Sequence, residues 1–575
     1  MSATLDFRNT NALWGSVLVE TLARCGVREA VVSPGSRSTP LTIALARHPQ
    51  IEAVPVLDER SAAFFALGLA KQHRRPVVLL CTSGTAGANY FPAVIEAQES
   101  NVPLLVITAD RPPEMRDCAS GQTIDQQRLF GGHANFYHEL AVPEPRLDRL
   151  AYLRQTIAHA VMRTQSPAAG PVHLNAPFRD PLPPIEDASV RALAGQIGDD
   201  FFAHLDRPAP VGAATMAWAA PMTGRGVIVA GPAHVADPAI YAQKVSALAT
   251  MLCWPVLADA LSPVRSQLAA ADIVTCYDAI LREPQVAKRL RPEAVLCLGG
   301  WPTSKVLRGW LETSGAEVLL VATSAANRDA LHGRARQIIA DVESLAVTGR
   351  RADDAGYRAA WQQAEVRARS QFDVVLEKEK ALFEPKACWL LAQHLPKNTP
   401  VFVASSMPVR DVEYFWPATK RQQAVYFNRG ANGIDGTLST ALGIAHGNRP
   451  AVLLTGDLAL LHDANGFLLR PKLRGSLTIV LINNAGGGIF EHLPVAQFDP
   501  PFEEFFATPQ AVDFAKLCAA HDVEHVLIRG WPEFSKLIAT LPEQGIRVLE
   551  LRTDRKHDAA RRKQLLADAA EPVRG

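Results

Sequence analysis

Apolar residues in this chain gather in short unbroken runs, and the runs end on glycine, aspartate, serine or asparagine. Seven stand out: VVLLCTSG (77–84), PLLVITAD (103–110), GVIVAGP (226–232), AVLCLGG (294–300), EVLLVATS (317–324), AVLLTGD (451–457) and LTIVLINN (477–484). A run of this length without polar alternation fits a strand covered on both faces, and helix-length segments separate most of the runs. Continuous strands alternating with helices predict an α/β protein built of doubly wound parallel sheets. Two stretches break the rhythm. Residues 181–224 carry several prolines and glycines with weak periodicity; residues 349–372 are charged, helical in parts, and hold no apolar strand. Read as linkers, they divide the chain into three α/β domains, 1–185, 210–345 and 370–575, which suits a length of 575 residues. The tail RTDRKHDAARRKQLLADAA reads as a basic helix with a solvated face.

Composition narrows the classes. Hydrophobic residues make up 48% and charged residues 20%, an ordinary globular balance. A formal net charge of +1 supplies no field for nucleic acid or an anionic membrane, although local clusters for small anions remain open. The eight cysteines are scattered without a C-x-x-C pair, which argues against a zinc site or a disulfide framework and fits a reducing compartment. The first residues, MSATLDFRNTNALWGSVLVETLARCGV, are polar before they are apolar and do not read as a signal peptide. No apolar stretch approaches the ~18 residues of a spanning helix. The expectation is a cytoplasmic protein with no membrane insertion and no nucleic-acid partner.

Two of the runs end in oxygen ligands. AVLLTG stops at Gly456-Asp457, and LTIVLI stops at Asn483-Asn484 before the glycine loop AGGG, with a helical segment between. In a parallel sheet both strands end on the same edge, where ligands bind, so Asp457 and Asn484 are brought together across 27 residues of sequence. Mg²⁺ takes hard oxygen ligands and shares them with phosphates. Asp457 offers a carboxylate, Asn484 an amide oxygen, and the loop a backbone carbonyl, taken as that of Gly486. Gly456 permits close approach of a phosphate, and a helix N-terminus adds donors. The paired pattern resembles the thiamine-diphosphate motif, Gly-Asp-Gly followed at a similar distance by Asn-Asn, with Leu458 in the third position here.

That cofactor class implies a glutamate from the first domain, hydrogen-bonded to N1′ of the aminopyrimidine. AVPVLDERSAAFFALGLAK (53–71) places Glu59 between a short strand and a small-residue helix, with Asp58 and Arg60 as weaker candidates. A bulky apolar residue must also wedge the cofactor into its bent form. Ile434 in FNRGANGIDGTLSTALGIA suits this, with plain core packing as the rival reading.

Arginines recur in punctuated loops after strands: Arg37 beside Ser36 in VVSPGSRSTPL, Arg111 in ITADRPPEMRD, Arg410 beside Ser406 in SSMPVRDVE, and Arg429 in FNRGANG. Gln122 lies in ASGQTIDQ and Lys305 in GGWPTSKVLR. Taken singly, each arginine reads as a salt bridge. Taken as a set that converges at strand ends, their planar forks suit a substrate with several carboxylates. SPGSRSTPL, LDERSAAFFALGLAK, CTSGTAGANYFPAVIEA, TADRPPE, GQTIDQ, NRGANGIDG and NNAGGGIF, in this order along nearly the whole chain, resemble the thiamine-diphosphate-dependent synthases of menaquinone biosynthesis. In that family Gly-Asp-Leu replaces Gly-Asp-Gly.

The resemblance implies decarboxylation of 2-oxoglutarate and 1,4-addition of the succinyl unit to isochorismate, with Mg²⁺ or Mn²⁺. It implies Arg410 and Arg429 on the succinyl carboxylate and Ser406 near the diphosphate end of that pocket. Ser36, Arg37, Arg111, Gln122 and Lys305 would face isochorismate, and Ile489, Phe490 and Leu493 would line the apolar side. It also implies a site shared across a subunit interface, hence a homodimer at minimum or a tetramer. Val306 after the lysine and Gly121 before the glutamine depart from the family pattern. The central domain lacks a G-x-G-x-x-G after a strand, so no FAD or NAD is expected there. Another thiamine enzyme acting on a 2-oxoacid and a non-catalytic cofactor fold are the alternatives.

Overall fold

A computed structural model describes residues 5–203, 205, 224–332, 335–345 and 355–574. Its strands form three sheets in which every pairing is parallel. All seven apolar runs are strands of these sheets. The chain divides into two compact units, one built from residues 1–210, 428–447 and 462–474, the other from the remainder.

The first unit holds β1 (Glu29–Val32), β2 (Glu52–Pro55), β3 (Val77–Cys81), β4 (Leu104–Asp110), β5 (Phe136–Glu139) and β6 (Pro171–Pro177), in the order β2-β1-β3-β4-β6-β5. β1, β3, β4 and β6 are wholly buried, whereas the outermost strand β5 is half-buried with polar residues in it. The order turns back between β1 and β3, and the crevice at their carboxyl ends is the position at which such sheets bind ligands.

The helix Glu59–His73 follows β2 and is crossed by the helix Thr437–Ala445 of the same unit. Glycines set how closely the two approach. A Cβ on Gly68 would stand 2.2 Å from the Thr440 carbonyl oxygen, and one on Gly443 would stand 2.2 Å from that of Phe65. Residues 182–202, read as linker, instead insert Leu182, Val190, Leu193, Ile197 and Phe202 into the core of this unit. Short 3₁₀ turns carry Leu193 and Phe202, and the other three lie outside any helix or strand, so no long period betrays them in sequence. The rest of that stretch, apart from residues 181, 203, 205 and 224, lies outside the described residues.

The second unit holds two sheets. One comprises β7 (Gly226–Ala230), β8 (Val256–Ala258), β9 (Ala294–Leu298), β10 (Glu317–Ala322) and β11 (Arg336–Ile339), ordered β11-β10-β9-β7-β8. The other comprises β12 (Pro400–Val403), β13 (Ala424–Tyr426), β14 (Ala451–Gly456), β15 (Ser476–Asn483), β16 (Glu524–Leu527) and β17 (Gly545–Arg552), ordered β13-β12-β14-β15-β17-β16. One hydrophobic cluster runs through both.

Two segments correct the sequence reading. Residues 355–372 belong to the helix Ala355–Lys378, which buries Tyr357, Trp361, Ala364, Ala368 and Phe372 at helical spacing in that cluster. The tail helix, Arg555–Ala570, is not a solvated face: Asp558, Arg562, Leu565, Leu566 and Ala569 are buried. Its charges concealed this because two of the buried positions are themselves charged. Among the described residues no helix is long and apolar enough to cross a membrane.

Candidate active site

In the last sheet the strand order turns back between β12 and β14, and polar residues collect at their carboxyl ends. β14 and β15 run in register, Gly456 beside Ile482, so Asp457 and Asn484 leave the same edge. The Gly486 N–H donates to Asp457 Oδ2 at 2.8 Å and ties the glycine loop to the aspartate. Gly486 has φ of 134°, and a Cβ there would stand 2.4 Å from the Ala507 carbonyl oxygen, so only glycine serves. Asp457 Oδ1 accepts from the Leu458 N–H at 2.8 Å. Burial pushes the Asp457 carboxyl up to about 6, against the lowering effect of these two N–H donors.

Asn484 is 6% exposed. Its Nδ2 donates to Glu384 Oε1 at 2.6 Å, while its buried Oδ1 has no hydrogen-bond partner among the described residues. A buried unpaired acceptor costs about 1–3 kcal/mol unless something takes it up. One carboxylate, one vacant amide oxygen and a carbonyl-bearing glycine loop make a donor set for a hard divalent cation. A Cβ on Gly456 would meet nothing within 4 Å, so there is open space beside the strand end. These residues fit a metal-bound diphosphate.

Ser406 follows β12 and has φ of 72°, a left-handed backbone unusual for a side-chain-bearing residue. It precedes the helix Met407–Phe415, and Arg410 Nη1 donates to the Ser406 carbonyl at 2.5 Å. Burial lowers the Arg410 pKa, and Arg308 lowers it further by repulsion. Arg308 lies one turn into the helix Lys305–Ser314, whose first residue, Lys305, is exposed. Val306 packs against the hydrophobic cluster. Arg308, not singled out from sequence, is a cation of this helix whose charge is felt at Arg410. Ile489 and Phe490 lie on the 3₁₀ turn Gly488–His492 and Leu493 follows it; all three are half-buried, and Phe490 meets Phe506 edge to face at 5.8 Å.

The first unit gathers its own set at the β1/β3 edge. The Arg37 N–H donates to Thr82 Oγ1 at 3.2 Å, and its guanidinium donates to the Phe178 carbonyl at 2.9 Å. Arg111 Nη1 donates to Ser83 Oγ at 2.6 Å, and Gln122 Nε2 donates to the Ser83 carbonyl at 2.9 Å. Burial, then the neighbouring Arg111, lowers the pKa of Arg37. The exposed Ser36 adjoins them. Ser36, Arg37, Arg111 and Gln122 therefore stand together, with Ser83 at their centre. Ser83 was legible in principle, as a hydroxyl at the end of β3.

Glu59 is the first residue of its helix and half-buried. Asp58 is committed to capping, accepting from the N–H groups of Arg60 and Ser61, and Arg60 donates to the His462 carbonyl. Glu59 has no hydrogen-bond or ion-pair partner among the described residues, which separates it from its two neighbours as the available carboxylate. In the same unit, Glu96 accepts from the N–H groups of Gly430 and Ala431 at 3.1 and 2.7 Å, holding the loop that carries Arg429. Half-buried Ile434 leads into the Thr437 helix, where Thr437 Oγ1 donates to its carbonyl at 2.7 Å.

Comparison with known proteins supplies the class. The N-terminal TPP binding domain of thiamine pyrophosphate enzymes matches residues 14–129, their middle domain matches 204–403, and their C-terminal TPP binding domain matches 408–550. These three matches, together with the three parallel sheets, define a thiamine pyrophosphate (thiamine diphosphate) enzyme. The chain is 52% identical over 556 residues to the 2-succinyl-5-enolpyruvyl-6-hydroxy-3-cyclohexene-1-carboxylate synthase of Microcystis aeruginosa, covering 96% of this chain and 98% of that one. It is 52% identical to the enzyme of the same name from a Nostoc species (98% and 99% covered) and 51% identical to that of Trichodesmium erythraeum (97% and 98%). The chain belongs to the 2-succinyl-5-enolpyruvyl-6-hydroxy-3-cyclohexene-1-carboxylate synthase family.

Proposed function

We propose that this enzyme decarboxylates 2-oxoglutarate and adds the succinyl unit 1,4 to isochorismate, forming 2-succinyl-5-enolpyruvyl-6-hydroxy-3-cyclohexene-1-carboxylate and CO2 in menaquinone biosynthesis. The observation that carries the reading is the β14/β15 edge, where the Gly486 N–H fixes Asp457 beside a buried, unpaired Asn484 Oδ1. Asp457, Asn484 and the Gly486 carbonyl hold Mg²⁺ or Mn²⁺; Gly456, Leu458 and Ser406 flank the diphosphate. Thiamine diphosphate, when bound, supplies the electron sink for loss of CO2.

The chain's own residues do the rest. Glu59 exchanges a proton at the aminopyrimidine N1′, and Ile434 and Ile489 shape the cofactor. Arg410 and Arg429 take the succinyl carboxylate, each by a two-pronged donor face. Ser36, Arg37, Arg111, Gln122 and Lys305 orient isochorismate. Phe490 and Leu493 exclude water, so that carbon rather than a proton receives the electrons. The three domains follow 1–185, 210–345 and 370–575, with residues 182–202 added to the core of the first and the helix Ala355–Lys378 joined to the cluster of the other two, and the functional unit is a cytoplasmic homodimer or a tetramer of such dimers. Product mass spectrometry with thiamine diphosphate, Mg²⁺, 2-oxoglutarate and isochorismate tests this. An adduct that requires both substrates supports it. CO2 release without adduct removes the acceptor, and no decarboxylation of any 2-oxoacid removes the reading.

A further inference from the structure

Behind Asn484 lies a buried polar chain that no step above employs. Glu384, 3% exposed, receives the Asn484 Nδ2 donor on Oε1 at 2.6 Å and Arg562 Nη2 on Oε2 at 2.6 Å. Arg562, 1% exposed, also grips Asp411 with two prongs, at 2.6 and 2.9 Å. Asp411 adjoins Arg410. Gly488 clears the path, since a Cβ there would stand 2.7 Å from Asn484 Nδ2.

An asparagine is a poor ligand unless its orientation is fixed. The amide can rotate half a turn and present NH2 to a cation instead of oxygen. Arg562 holds one carboxylate oxygen of Glu384 and the other accepts from Nδ2, so Glu384 takes the NH2 side of the amide and Oδ1 must face the Asp457 edge. We propose that Glu384, anchored by Arg562, is a positioning residue that sets the amide of Asn484 with its oxygen toward the divalent cation. Arg562, through Asp411, fastens the helix bearing Arg410 to the same anchor. This rests on the divalent-cation reading of the Asp457–Asn484 edge.

The test is thiamine diphosphate binding to the full-length protein at graded Mg²⁺, followed by tryptophan fluorescence, with circular dichroism to confirm folding. Side chains that orient a metal's ligands typically change its affinity by about 10–100-fold. Glu384→Gln, whose amide can both donate and accept, is expected to raise the Mg²⁺ requirement about tenfold, and Arg562→Met to do likewise. Orientation ceases to matter in an Asn484→Asp background, because a carboxylate is symmetric. There Glu384→Gln is expected to carry no penalty in Mg²⁺ requirement. A merely structural Glu384 would cost the same in both backgrounds, and that result overturns the proposal, as does a wild-type-like Mg²⁺ titration for Glu384→Gln. Wild-type protein that binds the cofactor without any divalent ion would instead remove the metal reading, and this inference with it.

Discussion

Glu59 is the residue on which turnover should depend most steeply. Its neighbours are committed to capping and to the His462 carbonyl, and it alone is left at the helix start. Glu59→Gln keeps the shape but abolishes proton exchange, a contribution worth about 10²–10⁴-fold in such steps. We expect kcat to fall at least 100-fold, with the cofactor-binding curve unchanged; wild-type turnover would remove Glu59 from the chemistry. Gly486 answers to sterics rather than charge. At φ of 134°, with the Ala507 carbonyl 2.4 Å from a would-be Cβ, Gly486→Ala should cost about 1–3 kcal/mol and weaken Mg²⁺-dependent cofactor binding. Thermal unfolding and cofactor titration check the two halves. Asp457, Asn484 and Glu59 were legible from sequence because each stands at the end of an apolar run or the start of a small-residue helix. Arg562 was not. Nothing in a basic tail marks which arginine turns inward, and only the buried carboxylates Glu384 and Asp411 select it.

Strands were read from sequence better than the segments between them. Central strands such as β3, β4 and β9 are buried along their length, whereas β5 and β13 are half-buried, β5 mixes polar residues into its run, and the short β8 offers only three residues of pattern. Tertiary packing, not local period, absorbed the stretches read as linkers. The helix Met407–Phe415 shows how such packing holds a site element. Glu413, on its inner side, accepts from the Ala260 N–H at 2.7 Å, from Arg265 at 3.3 Å and from the Tyr277 hydroxyl. Burial pushes its carboxyl up to about 8 from an ordinary 4.5. Between those values the folded chain keeps a proton that the unfolded chain has released. The contribution to stability is therefore complete below pH 4.5 and is lost as pH rises through about 8. Glu413→Gln, always neutral, should gain melting temperature relative to wild type as pH is raised across this window. Parallel pH profiles of the two proteins would contradict the assignment.

Across the whole molecule, the proposed chemistry needs the carboxylate of Glu59 and the Asp457–Asn484 edge to serve one cofactor. In a symmetric dimer with a shared site, each site draws Glu59 from one chain and Asp457 from the other. That arrangement has a signature no single-chain site can mimic. Glu59→Gln and Asp457→Ala homodimers are each inactive, because every site carries one lesion. In a heterodimer of the two variants, one site collects both lesions and the other collects neither. After denaturation and joint refolding at equal amounts, random pairing makes about half the dimers mixed, each with one intact site of two, so activity should return to about a quarter of the wild-type level. A site contained within one chain leaves every site damaged, and mixing restores nothing. The unmixed variants, refolded alone, supply the baseline. Isotope labelling of one variant and native mass spectrometry of the mixture establish that mixed dimers have formed, so silence in a confirmed mixed dimer would place both residues in the same chain's site.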